Sequence, residues 1–469
     1  MASGKSSCAN EDRRGNPGVT VDNLFLILVL LLLAVYLTAK IAITFCLGLF
    51  AKGNHVVQLP WQDSPIVSLY KPEEKKKPIA PGELAEVART DILVTGDVLL
   101  HMPIVRTAWT GDGYNFDDVF QFLKPYLSGA GFASAYLETT LSGRDRGFSG
   151  FPNFNSPDEI ASGLKDAGFH ALVTSTEHCY DYGTAGLLRT MSTLQGLGIP
   201  FLGTVDSAGA PRHSIRTVNG IRIGMTAYTY ADQRENGSVG LNGITAESDA
   251  AAHINTFDPR RLGRFYTEIE GELTAMRSAG AEITVVYLHW GDEYSTKVSD
   301  TQRAIAQKLC DLGVDVIVGS HPHVVQPIDL LTASNDPAHK TLVIYSTGTL
   351  LSNLRSDKAD IPTGHSEDGM VVRFTLAKYN DDSVRIVSVG LLPTWVVVHG
   401  EGEERDFCIL PLDSQIPDWQ TAYGLSPNQL SGAKASYNRT MALVTEGLNK
   451  VTDYFSARSA GLDPSVGVG

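Results

Sequence analysis

The chain is poor in thiols and in positive charge. Five cysteines stand scattered through 469 residues, a distribution that is no disulfide framework. Lysine and arginine number 38 against 52 aspartates and glutamates, a formal charge of −14. Such a shortage of cations argues against sequence-independent binding to phosphate backbones, which depends on lysines and arginines displacing counterions. Nucleic acid is therefore not an expected partner. Wholesale disorder is excluded too, because 43% hydrophobic and 19% charged residues is the composition of a folded protein with one large core plus appendages. No internal repeat is visible.

What the chain does have is one long apolar run. "NLFLILVLLLLAVYLTAKIAITFCLGLFA", residues 23–51, holds a single charge, Lys40, and is long enough to cross a bilayer as one helix. A lysine at the bilayer centre costs about 2.5–3.5 kcal/mol, which the surrounding leucines and isoleucines outweigh and snorkelling reduces. A cleaved signal peptide is the alternative, but the run is long and no small-x-small site follows closely. Lys5, Arg13 and Arg14 precede the span and only Lys52 follows it closely. The positive-inside rule then makes residues 1–22 a cytoplasmic tail and places the rest of the chain outside, as a single-pass membrane protein. Cys179, Cys310 and Cys408 fall in the exported part; Cys310, in "IAQKLCDLG", is expected to pack as a small apolar residue on a helix.

Residues 52–90, with "KPEEKKKP" and several prolines, have the composition of an extended extracytoplasmic linker. From Asp91 the chain alternates apolar runs of strand length ("DILVTGD", "FASAYLET", "HALVTS", "IRIGMTAYTY", "EITVVYLHW", "VDVIVGSHPH", "KTLVIYSTG") with amphipathic segments of helix length. That alternation predicts a layered α/β domain over 91–400 with a largely buried sheet. "SPDE" at 156–159 offers a serine cap with proline in the first turn, and "VSDTQ" at 298–302 offers Ser299 or Asp300. "MVVRFTLAKY" and "VRIVSVGLL" read as late strands joined by the turn "NDDS". The C-terminal extension, 401–469, is expected to be partly helical with a loose end.

Several of the apolar runs end in a side chain fit to hold a metal. "ILVTGD" delivers Asp97, "SAYLE" delivers Glu138, and "ALVTSTEH" delivers Glu177 and His178. "TVVYLHW" delivers His289, and "VDVIVGSHPH" delivers His321 and His323 around Pro322, which fixes the backbone locally. Ligands of α/β folds gather beyond the carboxyl ends of strands. Singly, each residue has a bland explanation as a cap, an ion-pair partner or a core histidine, and the His-x-His pair alone is a weak signal. Jointly, five strand ends would each need a separate excuse. Carboxylates and imidazoles without thiolates suit Zn, Mn or Fe and hydrolytic chemistry. If they converge, a site for one or two divalent ions lowers the pKa of a water and stabilises charge on a transferring phosphoryl or acyl centre. His178 would then be the general acid. Asp181, Tyr182, Glu293 and Tyr294, just past these residues, are candidates to orient the imidazoles or to bind substrate.

In this order, "TGDVLL", "YLETTLSG", "STEHCYDYGTAGLLRTMSTLQGLGIPFLG", "LHWGDEYSTKVSDTQRAIAQKLCDLGVDVIVGSHPHVVQPID" and "YSTGTLL" resemble the bacterial poly-γ-glutamate capsule assembly proteins (CapA/PgsA type), a branch of the calcineurin-like metallophosphatases. The resemblance covers about residues 90–400. It implies a β-sandwich flanked by helices, a four-layer α/β/β/α arrangement, with metal ligands at loop ends. By motif, Asp97, Glu138, His289, His321 and His323 stand at ligand positions, Glu177 where the family usually has asparagine, and His178 at the catalytic histidine. The superfamily's histidine two residues after the first aspartate is Leu99 here, which thins one metal position. The implied role is making, exporting or anchoring poly-γ-glutamate or a related anionic surface polymer, with a membrane synthase complex as partner. The alternatives are a metallophosphoesterase acting on a cell-envelope phosphoester and a non-catalytic subunit that binds the polymer or its synthase.

Overall fold

Strands whose residues are buried on both sides dominate the computed structural model, which describes residues 84–356, 363–400 and 405–459. The expected tail, span and most of the linker lie outside these residues, as does the end from 460 onward. Among the described residues no helix is long and apolar enough to cross a membrane.

Four parallel strands come first: β1 (Glu86–Val98), β2 (Phe132–Leu137), β3 (Ala171–Val173) and β4 (Phe201–Leu202). Next, β5 (His213–Val218) folds back on β6 (Ile221–Tyr230). Then β7 (Asp232–Gln233), β8 (Val239–Leu241) and β9 (Ile244–Ala246) form a small sheet of their own, and β10 (Thr256–Phe257) returns beside β6. The second large sheet continues with β11 (Ile283–His289), β12 (Val316–Ser320) and β14 (Lys340–Ile344), all parallel to β6, and β13 (Ile328–Thr332) antiparallel at the edge. The chain then returns to the first sheet as β15 (Thr349–Leu351), β16 (Asp368–Tyr379), β17 (Val384–His399) and β18 (Asp406–Pro411). The strand orders are β18-β17-β16-β1-β2-β3-β4, with β15 beside the end of β1, and β10-β6-β11-β12-β14-β13.

The core lies between the two sheets. Ile92, Val94, Phe132 and Val173 from one meet Ile223, Val285, Val318 and Ile344 from the other. Alternate residues Leu93, Ala133, Ala135 and Leu172 are equally buried, so the outer face of the first sheet is covered as well, as parallel strands require. The crossover segments supply that cover. They include α1 (Glu159–Ala167) between β2 and β3 and α2 (Gly183–Gly196) between β3 and β4, while α3 (Leu262–Ser278) and α4 (Asp300–Asp311) pack on the second sheet. Helix α3 buries Phe265, Ile269, Leu273 and Met276, spaced for one face. Helix α4 opens with a capping box between Ser299 and Gln302. At α1 the expected serine cap is absent: Ser156 Oγ is bonded to Thr139 Oγ1 at 2.8 Å instead, and Asp158 holds Arg189. Cys179, Cys310 and Cys408 are buried free thiols, Cys310 on α4 as read from the sequence.

The domain extends past both boundaries expected from the sequence. β1 starts at Glu86, and β18 pairs with β17 from Asp406 to Pro411. Helix α5 (Pro427–Ser459) closes the open side of the sandwich, placing Val444, Val451 and Phe455 in the inter-sheet core. The segment after 400 is part of the fold because "FCIL" continues the apolar ladder. Helix α5 can approach so closely because residue 447 is glycine; a Cβ there would lie 1.7 Å from the carbonyl oxygen of Ile328. Gly→Ala in an exposed helix gains about 1 kcal/mol. Here overpacking wins, and Gly447→Ala should lower stability by about 1–3 kcal/mol, read as a fall in the urea midpoint.

Candidate metal centre

The carboxyl ends of β1, β2, β3, β11 and β12 meet at one place. Asp97 is the next-to-last residue of β1, Glu138 follows β2, and Glu177 opens a short turn (Glu177–Tyr180) after β3. His289 ends β11, while His321 and His323 follow β12. β1 reaches this position by pressing on Gly348: a Cβ on Gly96 would lie 1.8 Å from the Gly348 carbonyl oxygen, so the residue before Asp97 has to be glycine. The histidine loop is wound against its preference, with φ at 98° for His321 and 54° for His323. Such conformations cost about 1–3 kcal/mol each and persist where the surroundings over-determine them. Pro322 between them accepts a hydrogen bond from the Tyr294 N–H at 2.8 Å.

All six sequence candidates for ligands are buried and fall into two groups that share one member. Glu138, Glu177, His289 and His321 form the first group, and Asp97, Glu138 and His323 the second; within each, the ligating atoms lie within 4.8 Å of one another. His289 Nε2 is 3.2 Å from Glu138 Oε1 and 3.0 Å from Glu177 Oε2, and His321 Nδ1 is 2.7 Å from the same Glu177 oxygen. His323 Nδ1 is 3.0 Å from Asp97 Oδ2 and 3.8 Å from Glu138 Oε2. Leu99 lies in a small apolar cluster with Phe154 and Leu354, so the second group has three donors rather than four.

The donor set fits a divalent cation. Both oxygens of Glu138 are buried with no hydrogen-bond partner among the described residues. Orphaned buried acceptors of this kind are costly unless something positive is present. Burial, then the neighbouring Asp97 carboxylate, push the Glu138 carboxyl well above its ordinary range. Burial also acts upward on Asp97 and Glu177. For Asp97, hydrogen bonds from His323 and Ser320 outweigh it, and for Glu177 the adjoining His321 and His289 do, leaving both carboxyls low. Burial lowers His323, but Glu138 and Asp97 overcome it and raise the imidazole to about 9.

His178 stands beside the cluster without belonging to either group. Its Nδ1 is 2.8 Å from Asp181 Oδ2, and its Nε2 is 3.8 Å from Glu177 Oε1. Asp181 is itself held by the Phe154 N–H at 2.7 Å and by Asn242 Nδ2 at 2.8 Å. A carboxylate fixed on Nδ1 presets the imidazole with Nε2 toward the site. Glu293 reaches within 3.8 Å of His323 Nε2, and the Tyr294 ring lies 6.0 Å from that of His323. Tyr182 does other work: its hydroxyl is bonded to Ser149 Oγ at 2.8 Å.

Three neighbours were not singled out from the sequence as site residues. Ser320 donates to Asp97, Asn242 holds Asp181, and the Tyr230 ring lies 4.7 Å from His321. Ser320 sits in the quoted "GSHPH" and closes β12, so its strand-end position could have marked it. Asn242 and Tyr230 are brought in by tertiary structure alone. His101 is driven down to about 4 by burial and then by His323. A histidine lowered in the folded state adds stability that is complete above pH 6.5 and is lost as pH falls through 4. In chelator, wild type should lose at most about 3 kcal/mol over that window from this group, reduced by its partial exposure. His101→Gln should flatten the pH dependence of the urea midpoint accordingly.

Residues 91–354 match the family described as "Bacterial capsule synthesis protein PGA_cap". Among curated proteins, the capsule biosynthesis protein CapA of Bacillus anthracis is 24% identical over 288 residues, which is 59% of this chain and 63% of that protein. The PGA biosynthesis protein CapA of Bacillus subtilis is 27% identical over 246 residues, 50% of this chain and 57% of that one. The chain thus spans about three-fifths of the length of these relatives. A solved structure of a putative 5'-nucleotidase from Staphylococcus aureus aligns with a TM-score of 0.39 at 14% identity, covering 74% of this chain and 58% of that one.

Proposed function

Because the chain belongs to the bacterial capsule synthesis protein family, we propose that it acts in making, exporting or anchoring poly-γ-glutamate or a related surface polymer. In this reading it is a membrane-anchored extracytoplasmic protein with a metal-dependent hydrolase- or transferase-type site. The names of the Bacillus relatives, capsule and PGA biosynthesis proteins, support the polymer. The apolar run at 23–51 and the charges around it support the anchor.

One observation carries the chemical reading: Glu138 is shared by two buried donor groups. A carboxylate in that position can hold two cations side by side, the spacing on which two-ion hydrolytic sites depend. Bound ions would supply Lewis acidity and an activated water. The chain's own residues do the rest. Asp97, Glu177, His289, His321 and His323 fix positions, and Ser320 and Tyr230 wall the site. His178, oriented by Asp181, holds a proton at Nε2 for the atom that leaves.

The test is metal analysis of the full chain purified without chelator and reconstituted with Zn, Mn or Fe. Two ions per chain are expected, the one at the three-donor group lost first on dialysis, and His323→Ala should retain only one. Near-zero metal after reconstitution would sink the enzymatic reading. Assays on γ-linked glutamyl polymer and on generic phosphoesters separate the substrates. Turnover of phosphoesters alone would favour an envelope phosphoesterase.

A further inference from the structure

A second concave site lies away from the carboxylate–histidine cluster, at the other end of the small sheet β7–β9. The β8–β9 turn carries Asn242 to Asp181, whereas the loop joining β7 to β8 borders a cavity of ≈ 230 Å³. Arg212, Arg234 and Arg264 line it, with Glu268 as the single acidic residue of the lining. Three guanidiniums around one small hollow stand out in a chain of charge −14.

These arginines are not equally engaged. Arg212 is tied into the wall, with Nη1 donating to Asn255 Oδ1 at 2.6 Å and Nε 3.6 Å from Glu268. Arg234 donates to Thr245 Oγ1 at 3.1 Å and reaches only to 4.0 Å from Asp232. Arg264, exposed on the first turn of α3, has no hydrogen bond or ion pair among the described residues. Val239 and Ile254 supply an apolar side. The cavity is smaller than the roughly 300–1,000 Å³ of pockets for drug-sized ligands.

We infer that this cavity is a carboxylate-binding subsite that takes one acidic unit of a γ-linked glutamyl chain. Guanidinium forks pair with carboxylates in two parallel hydrogen bonds. The apolar side suits the two methylenes that lie between the carboxylate-bearing Cα and the γ-amide. This assignment of the ligand rests on the polymer reading given above. A subsite on the same small sheet that supports Asp181 would hold the polymer on the protein without occupying the metal groups.

The experiment is calorimetric titration of the full chain in detergent with a γ-linked glutamyl oligomer. Separate arms use inorganic phosphate and the neutral γ-linked isoglutaminyl oligomer, whose α-carboxyls are amides. Arg264→Gln and the double variant Arg234→Gln/Arg264→Gln remove charge without touching the core. Each is expected to weaken the acidic oligomer about tenfold or more, the loss typical of a charge-assisted hydrogen bond, with metal content unchanged. Binding that survives the double variant overturns the subsite and leaves the polymer reading intact. Wild type that binds phosphate as tightly as the oligomer overturns the choice of carboxylate. No binding of the acidic oligomer to wild type overturns both readings.

Discussion

Glu138→Gln is expected to empty both metal positions at once and, in chelator, to leave a more stable protein than wild type. Glu138 is the member common to both donor groups, so its neutral isostere removes a ligand from each. The gain in metal-free stability follows from the electrostatics. The native carboxyl is fully buried, both oxygens lack hydrogen-bond partners among the described residues, and Asp97 and Glu177 repel its charge. A glutamine amide can donate to either of those carboxylates instead. The relief should be on the order of 1–3 kcal/mol, the usual burden of a buried unsatisfied polar group, and would appear as a higher melting temperature with chelator present. With metal supplied, the order should reverse, because only wild type gains binding energy from the ions. If Glu138→Gln keeps both ions, or if its metal-free form melts below wild type, Glu138 is an ordinary core carboxylate.

His178→Ala should lower turnover by about 10²–10⁴-fold, the span typical of a general acid, while both ions stay bound. The two observables separate its role from that of the ligands, whose loss removes metal and activity together. Asp181→Asn should cost less, about 10–100-fold, since it acts by orienting the imidazole. It should also alter the acid side of the pH–rate profile without changing metal stoichiometry. His178→Ala with full activity on the true substrate would end the assignment. So would a variant that loses metal in proportion to activity.

The strand ends were legible in the sequence because apolar runs of strand length each stopped at a carboxylate or an imidazole. Asp97, Glu138, Glu177, His289, His321 and His323 lie together for that reason, and His178 with Asp181 follows from their adjacency to Glu177. Ser320, Asn242 and Tyr230 were less visible, since serine, asparagine and tyrosine beside a turn or strand end have many commoner uses. Tyr182, singled out by nearness in sequence, has its hydroxyl bonded to Ser149 Oγ. The part of the fold after residue 400 was obscured by a different cause. Helix α5 buries one face, but Ser436 and Thr440 stand on it between Ala433 and Val444, so its apolar stripe is interrupted by polar residues. A buried face that carries serine and threonine as well as valine and phenylalanine weakens the contrast by which amphipathic helices are read.

The same helix bears on the order in which the molecule can be made. β1, at one end of the described chain, lies between β2 and the late strand β16, and Val444 to Phe455 fill the last opening between the sheets. A polypeptide emerging amino end first therefore presents two half-covered apolar faces until its final helix arrives. Pairings this distant in sequence form slowly and leave aggregation-prone surface exposed meanwhile. Truncation inside α5 should thus matter most during biosynthesis, producing chains captured by chaperones or degraded before any loss of activity could be scored.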